Sequence, residues 1–281
     1  MIVKKKTDSL FSYKKSKYPA HLNCTINISE LLPTNAQRET FESRFERFLG
    51  SDSDNRSIYQ LKDGRLIYRT EQLIPAKTDE RPPLLLIFGN PATCSIKEGM
   101  FFSSQNDGKE NRFWKHLLRP AGVLQLVLAE DRTSRERNRR RLKRMRELDY
   151  DSPFRIGLCV YWSMPSSAGG PWGGVAGIRR LLGRKTVQEL EPFERERVME
   201  CARQFLNPGG IAVTFQKDAW NGLCSSIDPT YSIQLARQGN LRGTLQDLPH
   251  ISLLGIPPTR LLGPARIVLR KLLTEEGYKL P

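Results

Sequence analysis

The chain has 281 residues, 38% of them apolar, with 45 basic against 30 acidic side chains and a formal charge of +15. Length and apolar content exclude a peptide-sized module and a disordered tail protein, and 18 prolines with 21 glycines are too few for a low-complexity chain. No apolar run reaches the roughly 18 residues that a membrane span needs. The N-terminal MIVKKKTDSLFSY carries basic residues with no apolar stretch behind them, so it does not read as a secretory signal.

After a basic, Tyr-containing tail from Lys4 to Tyr18, the segment Thr34 to Leu49 places Phe41, Phe45, Phe48 and Leu49 on one face of a helix. A Thr34/Gln37 capping box starts it and Gly50 stops it. Residues 57–69 alternate apolar and polar around Asp63-Gly64, which predicts a hairpin. Ala76 to Pro83 is polar, ends in Pro-Pro and reads as a linker, dividing the chain into an N-terminal extension (1–80) and a main domain (81–281).

From Leu84 the pattern becomes short apolar runs separated by helices. Leu84–Phe88, Phe154–Trp162, Ile211–Phe215 and Ile251–Ile256 are the runs. Between the second and third lies a helix over 186–205, with a Thr186/Glu189 capping box and an apolar face of Val198, Cys201, Ala202 and Phe205. A last helix starts at Pro264, packs with Ala265, Val268, Leu269 and Leu272, and ends near Gly277. Strands that are apolar throughout and alternate with helices imply a parallel sheet covered on both faces. Ligands then sit at the C-terminal strand ends, in the loops after Phe88, Trp162, Phe215 and Ile256.

Charge is concentrated. Arg132 to Arg146 holds nine basic residues and one acidic, more than half of the net charge, in a helical insertion at about 130–150. Such a run reads as a polyanion grip through Arg139, Arg140, Arg141, Lys143 and Arg144, as a targeting signal, or as a solvated helix face; its near-uniform sign favours nucleic acid. Cys24, Cys94, Cys159, Cys201 and Cys224 are odd in number and form no C-x-x-C pair, which reads as free thiols in a reducing compartment rather than disulfides or a zinc site. With three histidines, chemistry that needs a His cluster is not expected. Neither a metal nor a cofactor is expected.

The most informative segment is FGNPATCSIKEGMFF, Phe88 to Phe102, followed by ENRFWKHLLRPAGV, Glu110 to Val123. A Gly89-Asn90-Pro91 turn leaving a buried strand sets a polar amide at the strand mouth, where Gly89 permits close backbone approach and Pro91 stiffens the exit. A purely structural turn is the competing reading. Phe101 and Phe102 read either as core or as a stacking platform. Ser163 to Gly177, rich in Gly and Ser, either lays N–H groups along a phosphate with Trp172 beside a base or sugar, or is a connector. Gly183-Arg184-Lys185-Thr186 lacks the order of a nucleotide-hydrolysing phosphate loop.

In Gly89-Asn90-Pro91, the following Phe101-Phe102 and then Asn111-Arg112-Phe113-Trp114-Lys115, the chain resembles the uracil-DNA glycosylase superfamily, most closely its mismatch-specific uracil/thymine branch. The likeness is specific over 86–123 and extends in outline over 84–281. It implies an α/β fold, a three-layer α/β/α sandwich around a four-stranded parallel sheet, here with a small N-terminal α+β extension. It also implies a monofunctional hydrolase of base excision repair that extrudes a uracil or related mismatched or deaminated base from DNA. Carried over, Asn90 would hold the water that attacks C1′, Phe102 would stack under the base, and Gly89, Pro91 and Asn111 would shape the base site. After the last strand, Thr259 would fit a Pro-Ser motif, and Arg260, Leu261 and Leu262 a wedge into the duplex.

Pro257 departs from the pattern, because the His or Asn expected there is absent. His250, seven residues upstream, reads as a strand-start residue more than as its substitute. No close N-terminal cysteine pair exists of the kind that iron–sulfur members carry. The rival readings are a nucleic-acid-binding protein on the same fold without turnover, and a recruitment protein whose N-terminal 80 residues dock a partner. Expected partners are duplex or single-stranded DNA, with the chain a monomer; the expected location is cytoplasm or nucleoid, or the nucleus in a eukaryote.

Overall fold

The computed structural model describes residues 10–16, 20–104, 109–128 and 133–281. Most of the basic tail (4–9, 17 and 18) and Arg132 therefore lie outside the described residues. The chain begins with β1 (Phe11–Lys15) and β2 (His21–Asn27), then α1 (Ile28–Leu31), α2 (Asn35–Ser51) and α3 (Asn55–Ile58), and the hairpin β3 (Tyr59–Lys62) and β4 (Arg65–Leu73). The second part runs β5 (Pro83–Phe88), α4 (Thr93–Glu98), a π-helical turn (Phe113–Leu118), α5 (Ser134–Glu147), β6 (Arg155–Val160), α6 (Gly174–Leu182) and α7 (Arg184–Leu206). It ends with β7 (Ile211–Thr214), α8 (Lys217–Leu223), α9 (Ile233–Gln238), β8 (Arg242–Leu245), β9 (Leu248–Gly255) and α10 (Leu262–Glu275).

The architecture is α/β on one mixed sheet of nine strands, in the order β1-β2-β4-β6-β5-β7-β9-β8 with β3 paired to β4. This corrects the expectation of a four-stranded parallel sheet: five of the eight pairings are antiparallel. The four strands that the apolar runs announce, β6-β5-β7-β9, do pair in parallel at the middle of the sheet. The strands that escaped notice are FSYKK, HLNCTIN and RGTL, which mix polar and apolar residues and carry no continuous apolar run. The first of them lies in what reads as a tail. β4 joins the two parts, because Gln72 and Leu73 at its end pair antiparallel with Cys159 and Leu158 of β6.

Helix starts follow local chemistry. Thr34 caps α2 with the full box to Gln37, as its sequence predicts. On α7 the expected Thr186/Glu189 box does not form; the helix starts two residues earlier, after Gly183, without a side-chain cap. The 76–83 segment is no free linker, because Arg81 donates to the carbonyls of Leu148 and Tyr150 and Ala76 N–H to that of Arg146.

Two cores cover the two faces of the sheet. Leu85 and Ile87 of β5 point into one with α2, α6, α7 and α8, whereas Leu84, Leu86 and Phe88 point into the other with the π-turn and α10. No helix among the described residues is long and apolar enough to cross a membrane. Since β5, β6, β7 and β9 run the same way, their exits gather along one edge. Tyr161 and Trp162 N–H donate to the carbonyls of Phe88 and Gly89, Phe215 N–H to Ile87, and Ile256 N–H to Thr214.

His21 and Glu71 are opposite one another in the β2–β4 ladder and both are buried. Burial, and secondarily Arg69, lowers the His21 pKa to about 4, and burial raises that of the Glu71 carboxyl. Folded His21 stays neutral while an unfolded chain protonates it below about 6.5, so its contribution is complete above that pH and lost as pH falls toward 4. Glu71 acts in the opposite sense, costing stability as pH rises past its ordinary range. We therefore expect His21→Gln to gain stability relative to wild type as pH falls from 6.5 to 4, by on the order of 3 kcal/mol in urea denaturation. A gap that does not change with pH would refute it.

Candidate functional site

Asn90 stands two residues past β5, half-buried, with its amide nitrogen fixed. Nδ2 donates to Ser166 Oγ at 2.8 Å and, at longer range, to the carbonyls of Pro91 (3.3 Å) and Met164 (3.4 Å). Its Oδ1 accepts no hydrogen bond from any described residue, so the acceptor end of a clamped amide is left available. The clamp is the loop after β6: Ser166 N–H donates to the Pro91 carbonyl and Thr93 N–H to that of Ser166, each at 3.0 Å. Pro91 is buried, and its contact is structural. Gly89 packs closely on Gln216: a Cβ there would lie 3.2 Å from Gln216 Cγ, so a larger residue would push that side chain back by a few tenths of an ångström. Gln216, two residues past β7, caps α8 by accepting from Ala219 N–H.

The loop after β6 is itself anchored from below. Glu194 Oε1 accepts from Ser163 N–H (2.9 Å) and Oγ (2.5 Å), and Ser163 Oγ also meets Tyr68 Oη at 2.6 Å. Glu194 pairs with Arg197, which donates to the carbonyls of Val160 and Tyr161. Burial alone would lower the Arg197 pKa, and Glu194 more than offsets it, so the guanidinium stays charged in the core. Trp172 packs edge-on against Phe48 of α2 at 5.8 Å, which makes the loop's far end a packed connection.

Phe101 is core and Phe102 is not. Phe102 is half-buried, with its ring stacked on Phe113 (centroids 3.9 Å apart, 18° between planes) and edge-on to Phe88 at 4.9 Å. Phe88, the last residue of β5, thus links the Phe102 ring to the strand that leads to Asn90. Phe102 holds φ at +46°, a conformation that strains a residue with this side chain. Its carbonyl accepts from Trp114 Nε1 at 2.9 Å, and Asn138 of α5 accepts from Ser104 N–H at 2.8 Å. Asn111, assigned by resemblance to the base site, spends its polar atoms locally: Oδ1 accepts from Phe113 N–H and Nδ2 reaches the Ser103 carbonyl.

The basic helix α5 is two-faced. Arg139 and Lys143 are exposed and Arg140 half-buried, but Arg141 is fully buried, which corrects its place among the phosphate-gripping residues. It pairs with Glu110 at 2.5 Å and lies 4.8 Å over the Trp114 ring, and burial pushes its guanidinium down to about 10 against the pull of Glu110. Its spacing from Arg137 and Asn138 puts all three on the inward face, a signal present in the sequence and hidden by charge. Arg144 is turned to Asp149 at the helix end.

After β9, Pro257 is buried, Thr259, Leu261 and Leu262 are half-buried, and Arg260 is exposed. Leu262 packs on the core beneath it, so only Arg260 projects as a wedge requires. His250 is exposed near the start of β9, at the far end from these loops. A separate cavity of about 750 Å³ opens beside Trp162, lined by Arg179, Arg180, Arg184, Glu191 and Asp218 among others; neither Asn90 nor Phe102 lines it. No protein-family model matches the chain, and no curated protein matches it in sequence.

Ser166, Gln216 and the Glu194–Arg197 pair were not singled out in the sequence; only position in the loops after β6 and β7 pointed to the first two. The division of α5 has a direct test. Arg141→Ala should cost about 3 kcal/mol in urea denaturation, since a buried ion pair loses one partner, whereas Arg139→Ala and Lys143→Ala should each stay within about 0.5 kcal/mol. Equal effects at all three sites would contradict the assignment.

Proposed function

We propose that the protein is a DNA glycosylase, hydrolysing the N-glycosidic bond of uracil or a related deaminated or mismatched base after extruding the nucleotide from the helix. The observation that carries this reading is the clamped Asn90 amide, with Nδ2 tied to Ser166 and Oδ1 facing no described donor. Such an oxygen accepts a hydrogen bond from water and orients its lone pair toward C1′. An amide cannot remove a proton as a carboxylate does, so catalysis would rest on orientation and on a leaving group that departs as a stabilised anion. Phe102, held on Phe113, is the stacking surface for the base.

On this reading the parallel run β6-β5-β7-β9 is the four-stranded core of a three-layer α/β/α sandwich, with the N-terminal strands and α5 as additions. DNA is held by the outward face of α5 through Arg139, Arg140 and Lys143, and Arg260 probes the duplex. A non-catalytic nucleic-acid-binding protein is the second reading, favoured by Pro257, which is buried and offers no hydrogen-bonding side chain where a catalytic His or Asn is expected.

Incubation with single- and double-stranded oligonucleotides carrying uracil, a G·T mismatch or hypoxanthine, followed by alkali, separates the two. Alkali-labile strand breaks should appear and fall at least about 100-fold in Asn90→Ala; retarded mobility without breaks on any substrate would favour the binding protein. Replacing Arg139, Arg140 and Lys143 together by Ala should weaken DNA binding on every sequence. The slope of log affinity for duplex DNA against log salt should flatten by about 2.7, and an unchanged slope would remove α5 from the interface.

A further inference from the structure

The cavity beside Trp162 is lined by three arginines against two carboxylates, with the amides of Gln188 and Asn221 among them. It lies between α6, α7 and α8, on the opposite face of the sheet from the π-turn and α10. Of its three arginines, Arg179 is paired with Asp218 at 2.8 Å, and the same carboxylate oxygen also accepts from Trp162 Nε1 at 3.1 Å. Asp218 is therefore already engaged twice. Glu191 accepts from Tyr161 Oη at 3.1 Å.

Arg180 and Arg184 have no ion pair or hydrogen bond among the described residues; Arg180 is set only over the Trp172 ring, at 5.9 Å. Asn221 uses its Oδ1 to accept from Tyr231 N–H, which leaves its NH2 group as a donor, and Gln188 has no hydrogen-bond partner among the described residues. Arg179 is neutralised by Asp218, whereas Tyr161 is a neutral donor and leaves the Glu191 charge unpaired; two unpaired guanidiniums against one unpaired carboxylate leave this wall with a net positive charge of one. A concave site with an excess of one sign focuses potential and raises the local concentration of the opposite charge. Its volume, about 750 Å³, lies in the range of small-molecule sites. A planar guanidinium fork binds the paired oxygens of a phosphate or a carboxylate bidentately, and two such forks can share the several oxygens of one phosphate.

We propose that this cavity binds a phosphate group through Arg180 and Arg184, with Asn221 as an additional donor. The group belongs either to a free phosphorylated small molecule or to the backbone of a nucleic acid; the recognition chemistry is the same. The inference is independent of Asn90 and Phe102.

Titration calorimetry of the full chain at constant ionic strength tests it with two probes, inorganic pyrophosphate and a short single-stranded oligonucleotide. Arg180→Ala and Arg184→Ala, both at exposed positions, should each weaken at least one of them about tenfold. Lys115→Ala, on the opposite face of the sheet, should leave pyrophosphate binding unchanged. A loss confined to pyrophosphate identifies a free phosphorylated ligand, and one confined to the oligonucleotide identifies a backbone phosphate. Absence of saturable binding by either probe, or equal binding by wild type and both arginine variants, overturns the proposal. The glycosylase assay on the same variants keeps the two readings apart, since failure here leaves the Asn90-dependent strand breaks untouched.

Discussion

The buried Glu194–Arg197 pair fixes the exit of β6, and the geometry around Asn90 depends on that exit. Arg197 holds the last carbonyls of the strand and Glu194 holds Ser163, so the next residues leave in one direction. Three residues on, Ser166 reaches across to β5 and fastens both the Pro91 carbonyl and the Asn90 amide. A buried ion pair is a poor source of net stability, because desolvation offsets most of the attraction. Its value in this chain is directional: Arg197 Nε and Nη2 and both Glu194 oxygens bond to fixed groups even though Arg197 Nη1 has no partner, and these directed bonds admit one arrangement where apolar side chains would admit several.

Charge plays an analogous internal part in α5. A helix with so many arginines would be expected to stand in solvent, yet Arg141 turns inward to Glu110 and Trp114 and Asn138 turns inward to Ser104. The same helix therefore braces the segment that carries Phe102 and presents Arg139 and Lys143 outward. One helix thus joins the outward basic side chains to the segment that carries the Phe102–Phe113 stack.

Legibility in the sequence followed burial. The four central strands were legible because a strand covered on both faces reads as an unbroken apolar run, and α2 because its Phe spacing and capping box agree. The outer strands were not, since β1 and β2 carry their polar residues wherever one face is open and nothing local separates them from a loop. At the candidate site, Asn90 and Phe102 were singled out through motif order. Ser166 and Glu194 were not, because their roles arise from contacts 76 and 31 residues away along the chain. Arg141 was misread because composition reports charge and says nothing of which helix face carries it.

Phe102 shows what such long-range contacts secure. A phenylalanine at φ +46° costs about 1–3 kcal/mol relative to an ordinary backbone, and a glycine there would relieve it while losing the ring. Retaining the aromatic requires surroundings that over-determine the conformation. Trp114 Nε1 on its carbonyl, Ser104 held by Asn138 two residues later, and the stack on Phe113 provide them. Core packing alone gives no reason for this, since Phe101 next to it fills the core without a left-handed backbone. The strained residue is the half-exposed one, with one ring face covered by Phe113, and that is the arrangement a stacking surface needs.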